Sequence, residues 1–364
     1  SLRPSVGAMN APAFTQYGNL PLMQCVSLFG IWGLAFLVFW FSSFVNWLWE
    51  NGFEWKKTRQ GIAIYCGLFI LLLIYGGIRL GLFQSDTPTV RTAMITVPEE
   101  KSIPSEEFMN TLKEKRCRPL EEYLAMIRNA TNEASKAGAK LIAWQEYSAL
   151  VMNNDEQQFI KACSELARNE SIFLLIPYGV FDARGPGVNK ALFISPSGTI
   201  EADYSKRYLV DGGESPFMEK GTGEIPVVAT PYGNIAIAIC FDMSFSRYIR
   251  KATKKTIDIM INPALDWKKI TPSNPQGAAF SAVENGYSLV RPAGSGLSLA
   301  VDPRGRTISS MNFYTTKENI IYADIPVKGV RTLFSIIGDL MPWLSIAGMI
   351  ACVVIAIRKN DPLP

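Results

Sequence analysis

The chain has 364 residues, a formal net charge of +4 and six cysteines. The small net charge and the lack of a long basic tract argue against a nucleic-acid partner. The cysteines form no CxxC pair, which argues against a disulfide framework or a zinc site. The sequence contains no histidine, so every catalytic triad or dyad that depends on histidine is excluded. A nucleophilic cysteine in this chain would need a carboxylate or a lysine as its base.

Three apolar segments are each predicted to be a transmembrane helix, because about 20 apolar residues in helical form cross a bilayer. They cover residues 22–48, 61–83 and 333–357. They divide the chain into a membrane region at 1–84, a folded domain at 85–331 and a C-terminal region at 332–364 that holds the third span. The chain begins at Ser1 without a methionine, so we expect a processed or shortened start.

Basic residues beside the apolar segments predict which side of the membrane each loop faces. Lys56, Lys57 and Arg59 lie between the first two segments, and Arg358 and Lys359 follow the third. Positive residues in short loops mark the cytoplasmic side. The folded domain is therefore predicted to lie outside the cytoplasm. In a bacterium this would be a multi-pass protein of the inner membrane with its domain in the periplasm.

The folded domain interleaves apolar runs of period two with runs of helical period, which indicates a layered α/β domain. Helices are predicted at 120–137 and 159–167. The turn at 196–198 is predicted to connect a hairpin. Strands are predicted at 91–97, 141–144, 172–180, 191–194, 199–202, 225–228, 257–261, 288–291, 297–301 and 320–325.

The stretch from Gly233 to Asp242 alternates isoleucine with small residues. Both faces are apolar, so a strand buried inside a sheet is predicted. The strand is predicted to stop at Cys240, where helical spacing begins and continues over 241–255. A thiol at such a switch lies near helix N-terminal amides, which lower the pKa of a thiol and can bind an oxyanion. The alternative is a buried structural cysteine.

Two further candidates follow predicted strands, where a rigid sheet holds a side chain while the loops stay open. Glu146 closes an apolar run, although strand interiors disfavour glutamate, and Lys206 follows the hairpin. Each has a plain alternative, which is a solvated strand end for Glu146 and an ordinary surface lysine for Lys206. In a chain without histidine, Glu146, Lys206 and Cys240 together supply a base, a cation and a nucleophile.

The order of these residues resembles the nitrilase, or carbon–nitrogen hydrolase, superfamily. The shared pattern is a glutamate that closes a strand, a lysine after a hairpin, and a cysteine followed by an aromatic residue and an acid at 238–242. The flanking spans resemble those of the apolipoprotein N-acyltransferases. The segment at 16–22, with 30–38 following, is similar to one of that family's later N-terminal spans, and Gly338-Asp339 before the last span also fits. The resemblance implies a nitrilase-like αββα sandwich between flanking transmembrane helices.

The resemblance also implies a role for four residues. Glu146 is the expected general base, and Lys206 is the expected cation at the reacting carbonyl. Cys240 is the expected nucleophile, which would carry the acyl group as a thioester. Glu214 matches a second glutamate that supports the lysine region. No metal and no cofactor are implied.

Several positions depart from the pattern of that family. Phe241 and Asp242 stand where the acyltransferases usually carry Tyr-Glu, although the Phe241 amide can still donate to an oxyanion. Gln145 stands where proline usually precedes the glutamate, and Tyr208 where the lysine motif usually continues to a histidine. The segment 281–287 lacks the expected arginines. These departures bear on the acceptor substrate more than on the chemistry.

The resemblance implies a membrane-bound N-acyltransferase that moves a phospholipid acyl chain to the N-terminal amine of a lipoprotein, or to another amine acceptor. Two alternatives stay open, a membrane-tethered amidase with the same three residues and a catalytically inactive binding module. An apolar cleft that opens toward the spans would favour acyl transfer, and a closed polar pocket would favour the amidase. A displaced Glu146 or Lys206 would favour the binding module.

Overall fold

The structure, a computed structural model, describes residues 11–81, 87–103, 105–253, 255–271 and 273–358. The chain forms two compact units. The first contains Asp86–Ala282 and Gly286–Val330, and the second contains Ala11–Ser85, Val283–Asn285 and Arg331–Pro364.

The first unit contains the β-sheets. Its strands are β1 Thr89–Ile95, β2 Leu141–Trp144, β3 Ala149–Met152, β4 Phe173–Phe181, β5 Gly187–Ile194, β6 Ile200–Ser205, β7 Met218–Glu219, β8 Val227–Thr230, β9 Gly233–Ile237, β10 Ile259–Ile261, β11 Ala264–Leu265, β12 Ser288–Arg291, β13 Ala293–Gly294, β14 Leu297–Val301, β15 Thr307–Asn312 and β16 Ile320–Pro326. One sheet has the order β16-β1-β2-β4-β5-β6, with β3 beside β4 and β7 beside β5. The other has the order β15-β14-β12-β10-β9-β8, and β11 pairs with β13.

Helices accompany both units. They are α1 Leu20–Met23, α2 Val26–Glu50, α3 Trp55–Gly81, α4 Ser105–Glu114, α5 Leu120–Lys136, α6 Glu156–Glu170, α7 Ser246–Thr253, α8 Ser273–Asn285, α9 Leu333–Ile337 and α10 Leu340–Arg358. Both α5 and α6 are amphipathic, so each buries one apolar stripe against a sheet.

The strands β2 and β4 of the first sheet are buried on both faces, and β2 illustrates why. Ile142 and Trp144 belong to the apolar cluster that includes the buried side chains of α5 and α6. Leu141 and Ala143 belong to a second apolar cluster, which contains side chains from both sheets. Successive side chains of a strand point to opposite faces. The sheets therefore stack with helices outside the first, and the predicted layered α/β fold is confirmed.

The two elements predicted on either side of Cys240 end differently in the structure. The strand before Cys240 ends at Ile237, and the single helix predicted over 241–255 is a 3₁₀ turn at Cys240–Ser244 followed by α7. Phe245 interrupts them with φ −106° and ψ 83°, which is not a helical conformation. Several short elements were not predicted, among them β3, β15, α4 and α8.

Within the residues that the structure describes, the second unit contains three helices that are long and apolar enough to cross a membrane, Val26–Glu50, Trp55–Gly81 and Leu340–Ile357. The predicted third span is broken at Gly338, where φ is 68°. The first span is kinked at Gly30, where φ is 67°. The kink frees the Ile31 N–H from helical bonding, and this group donates a 2.5 Å hydrogen bond to the Glu284 carboxyl group. The Phe334 ring lies directly against Gly30.

The kink generates a prediction about stability. Gly30→Ala is expected to lower the free energy of unfolding by roughly 1–3 kcal/mol, because a Cβ at this position clashes with the Phe334 ring and the left-handed backbone disfavours alanine. Thermal denaturation of the detergent-solubilised protein measures the change. Gly67→Ala is the matched control, since no described heavy atom outside its chain neighbours and its own helix backbone lies within 4 Å of its added Cβ. Equal effects from the two substitutions would contradict the prediction.

Candidate active site

Glu146, Lys206 and Cys240 line one cavity of about 570 Å³ in the first unit. Glu146 lies two residues beyond β2 and Lys206 directly follows β6, which belong to one sheet. Cys240 lies three residues beyond β9 of the other sheet. The ends of strands from both sheets therefore bring the three predicted residues to the same space.

The backbone at Cys240 is strained, with φ at 42°. A left-handed conformation at a residue with a side chain costs about 1–3 kcal/mol and persists only where the surroundings hold it. Asp242 supplies that support, because its carboxylate accepts hydrogen bonds from the Tyr204 hydroxyl at 2.6 Å and from the Tyr208 N–H at 2.8 Å. Burial raises the pKa of Asp242 to about 7. Asp242 thus stabilises the turn that presents the thiol.

Phe241 follows Cys240 and lines the same cavity. Its ring packs edge-on against Phe245, with the ring centroids 5.2 Å apart. Within the part of the chain that the structure describes, the Phe241 N–H makes no hydrogen bond. An N–H beside a nucleophile is the kind of donor that stabilises an oxyanion.

Lys206 lies between two carboxylates. Its ammonium donates hydrogen bonds to Glu146 at 2.7 Å and to Glu214 at 2.6 Å. All three side chains are buried, with exposed fractions of 1%, 2% and 6%. A buried charge is tolerated only when it is paired and hydrogen-bonded. The second glutamate expected beside the lysine is in direct contact with it.

The same burial acts differently on the proton affinity of each group. Burial raises the pKa of Glu146, and Lys206 only partly opposes this effect. Burial also disfavours the charge on Glu214, but Lys206 and several donors outweigh it and lower its pKa. The pKa of Lys206 is raised despite burial, because both glutamates favour the ammonium. Glu146 is therefore the more basic of the two carboxylates.

The expected lowering of the thiol pKa at Cys240 is wrong. Burial, followed by the nearby Glu146 carboxylate, raises the pKa of Cys240 well above its ordinary value, and Lys206 only partly opposes this. The 3₁₀ turn that starts at Cys240 is five residues long, so it lacks the aligned peptide dipoles of a regular helix. The resting thiol is neutral and needs a base to become a nucleophile.

Sequence reasoning missed two residues that complete the site. Asn189, in β5, donates from its side-chain amide to Glu146 at 2.8 Å and to Glu214 at 2.9 Å. Tyr147 donates from its hydroxyl to Glu214 at 2.6 Å. A signal for Asn189 was present, because asparagine, which strands disfavour, stands two residues before the predicted apolar strand at 191–194.

The rest of the cavity wall is mainly apolar. Asp266 and Asn274 add polar groups, and Asp266 is held by a buried ion pair with Arg291 at 2.9 Å. Trp267 is partly exposed at the cavity. The apolar side chains around the cavity are those of Ile103, Phe108, Met109, Val210, Phe241, Leu265, Trp267 and Ile270.

Comparison with known sequences identifies relatives of two kinds. The profile of the carbon–nitrogen hydrolase family matches residues 111–333. An apolipoprotein N-acyltransferase of Geobacter metallireducens is 24% identical, over 96% of this chain and 70% of the relative. An apolipoprotein N-acyltransferase of Rickettsia prowazekii is 26% identical over 90% and 68%. A probable hydrolase of Schizosaccharomyces pombe is 27% identical over 61% and 94%.

Solved structures share the fold of the first unit. An amidase from Nesterenkonia superposes with a TM-score of 0.55 at 19% identity, over 68% of this chain and 94% of the amidase. A carbon–nitrogen hydrolase from Helicobacter pylori superposes with a TM-score of 0.55 at 16% identity, over 66% and 89%. At these identities the likeness concerns the fold alone.

The buried ion cluster generates a prediction about pH. Lys206→Met is expected to destabilise the protein by about 3–5 kcal/mol, because it leaves two buried carboxylates without their cation. The folded-state pKa of Glu146, which is already raised, would then rise further, and that of Glu214 would rise above the unfolded value of about 4.3. Stability should consequently fall as the pH rises from that value through the raised folded pKa. Chemical denaturation at several pH values measures this trend.

Lys190→Met is the matched control for that experiment. Lys190 also pairs with two acids, Glu156 and Asp203, each at 2.9 Å, but its side chain is 17% exposed. Water compensates for the loss of such a pair, so the cost should be about 1 kcal/mol or less. An equal and equally pH-dependent loss in the two variants would contradict the prediction.

Proposed function

We propose that this chain, which belongs to the carbon–nitrogen hydrolase family, is a membrane-bound N-acyltransferase. It moves a phospholipid acyl chain to the N-terminal amine of a lipoprotein. One observation carries the proposal. Relatives named apolipoprotein N-acyltransferase align over 90–96% of the chain. The family profile covers only 111–333, so these alignments extend into the segments that hold the apolar helices. Residues 85–331 would be the catalytic domain, and 1–84 and 332–364 the membrane regions.

The first half-reaction would acylate Cys240. Glu146 accepts the thiol proton as the sulfur attacks the ester carbonyl of the phospholipid. Lys206 and the Phe241 N–H stabilise the oxyanion. The C–O bond then breaks, and the departing alkoxide takes the proton from Glu146. A lysophospholipid leaves, and the acyl chain remains on Cys240 as a thioester.

The second half-reaction would transfer the chain to an amine. The neutral amine attacks the thioester carbonyl and gives a proton to Glu146. The C–S bond breaks, and the thiolate recovers that proton from Glu146. Glu146 thus starts and ends each half-reaction ionised. The raised pKa of Glu146 supports this role, because a base must have a proton affinity that is high enough to compete for the thiol proton.

The apolar wall of the cavity supports a lipid substrate. Each CH₂ that leaves water contributes about 0.8 kcal/mol, so an acyl chain binds best along side chains such as Phe108, Met109 and Ile270. An apolar wall also keeps water from the thioester until the amine arrives. A small amide would gain little from such a wall.

The amidase remains the second candidate. The observation in its favour is the relative named as a probable hydrolase, which aligns with 61% of the chain. That alignment is shorter than those of the acyltransferases. The inactive binding module loses support, because neither Glu146 nor Lys206 is displaced from the cavity that Cys240 lines.

Mass spectrometry after incubation with phospholipid tests the acyl-transfer proposal. The wild-type protein should gain an acyl-sized adduct on Cys240. Cys240→Ser should abolish this adduct, and Glu146→Gln should slow its formation by roughly 100-fold or more, because the general base is lost. Cys66→Ser, at an exposed cysteine of α3, should leave the adduct unchanged. Release of ammonia from simple amides without any lipid adduct would replace the acyltransferase with the amidase.

Reporter fusions test the orientation in the membrane. Residues near 150–320 are expected to face the periplasm and the loop at 50–60 the cytoplasm, since Lys56, Lys57 and Arg59 lie in that loop. A fusion at Asn154 should be active with a periplasmic reporter and a fusion at Asn51 with a cytoplasmic one. Cytoplasmic activity at Asn154 would mean that the orientation is reversed.

A further inference from the structure

The two buried glutamates have almost the same hydrogen-bond donors. Glu146 accepts from Lys206 at 2.7 Å, from Asn189 at 2.8 Å and from the Leu265 N–H at 2.8 Å. Glu214 accepts from the same Lys206 at 2.6 Å and the same Asn189 at 2.9 Å. Its third donor is also a backbone N–H, that of residue 210 at 3.2 Å. Two groups so alike would compete for the same proton.

One further donor distinguishes them. Among the described residues, the hydroxyl of Tyr147 donates to Glu214 at 2.6 Å and makes no hydrogen bond to Glu146. A hydrogen bond to a carboxylate favours its ionised form. Burial and the nearby Glu214 raise the pKa of Tyr147 well above its ordinary value. The phenol therefore keeps its proton and acts as a donor.

The backbone explains how a neighbour of Glu146 reaches Glu214. Successive side chains in an extended chain point in opposite directions. Tyr147 has φ at 55°, a left-handed conformation that breaks this alternation, and both Glu146 and Tyr147 line the cavity. Its ring packs edge-on against Phe108, with the centroids 5.1 Å apart. The strained backbone at Tyr147 thus accompanies the placement of its hydroxyl against Glu214.

We propose that Tyr147 is a positioning residue, whose hydroxyl keeps Glu214 ionised against Lys206 and so leaves Glu146 as the carboxylate that accepts the proton of Cys240. The inference rests on the proposed roles of Glu146 and Cys240, but it does not require the substrate to be a lipid. Lys206, Cys240 and the Arg291 guanidinium also interact electrostatically with Glu146. Tyr147→Phe changes none of these groups and keeps the aromatic ring.

Alkylation of Cys240 by iodoacetamide tests the proposal without any lipid. The rate is followed by peptide mass spectrometry over roughly pH 4 to 9. In Tyr147→Phe the ionised form of Glu214 loses a donor, so the glutamate pair takes up its first proton at higher pH. The acidic limb of the rate profile should move upward by up to about one pH unit, since hydrogen bonds to ionised groups have about this effect on a pKa.

Two comparisons separate this role from simple packing. Tyr178→Phe is the matched control, because the hydroxyl of Tyr178 also donates to a glutamate, Glu156 at 2.9 Å, outside the cavity. Its profile should match that of the wild type. In a Glu214→Gln background, Tyr147→Phe should cause no further shift. An unshifted profile in Tyr147→Phe, or a further shift in the double variant, would overturn the proposal.

A second probe keeps the test decisive if Tyr147→Phe fails to fold. Replacement of Tyr147 by 3-fluorotyrosine keeps the shape of the side chain and makes the phenol a stronger donor. The acidic limb should then move to lower pH, opposite to the direction expected for phenylalanine. A shift to higher pH, or no shift, would overturn the proposal. A missing lipid adduct would refute the acyltransferase function and leave this readout intact.

Discussion

One buried cation shared by two buried carboxylates is the constraint on which the candidate site depends. Lys206 satisfies Glu146 and Glu214 together, and neither glutamate could remain ionised at this depth without it. The three residues come from the end of β2, the end of β6 and the following loop. The cluster therefore holds these segments in one arrangement. Because two negative charges face one positive charge, the net negative charge of the cluster favours the uptake of a proton. A general base requires such a proton affinity.

Burial, and after it the same negative charge, accounts for the state of the thiol. A thiolate at Cys240 would add a third negative charge beside Glu146 in a buried site, so the thiol stays protonated at rest. In the proposed mechanism, the nucleophile forms only when a carbonyl group is present to receive the electron pair of the sulfur. Histidine-based sites often rely on an imidazolium to stabilise a thiolate. This chain has no histidine, and in the proposed mechanism the thiol ionises only as it attacks.

The sequence predicted those features that depend on local pattern. The runs at β2, β12 and β14 were predicted with their observed bounds, because each is a short apolar strand between polar or turn residues. The helix after Cys240 was predicted wrongly, because Asp242 turns back to bind Tyr204 and Tyr208, which are more than thirty residues away. The direction of the Cys240 pKa shift was predicted wrongly for a related reason. It depends on burial and on Glu146, and neither is visible from the neighbours of the thiol in sequence.

The ion cluster and the apolar wall of the cavity could vary independently of each other. The ion cluster fixes the chemistry, because a change to Lys206, Glu146 or Glu214 alters every proton affinity in the site. The apolar wall fixes what fits, because each buried CH₂ contributes a similar increment of about 0.8 kcal/mol wherever it lies. A change from Met109 to a smaller residue would alter the length of chain that binds without touching the charges. A family that shares one charged cluster can therefore act on substrates of different size through differences in the wall alone.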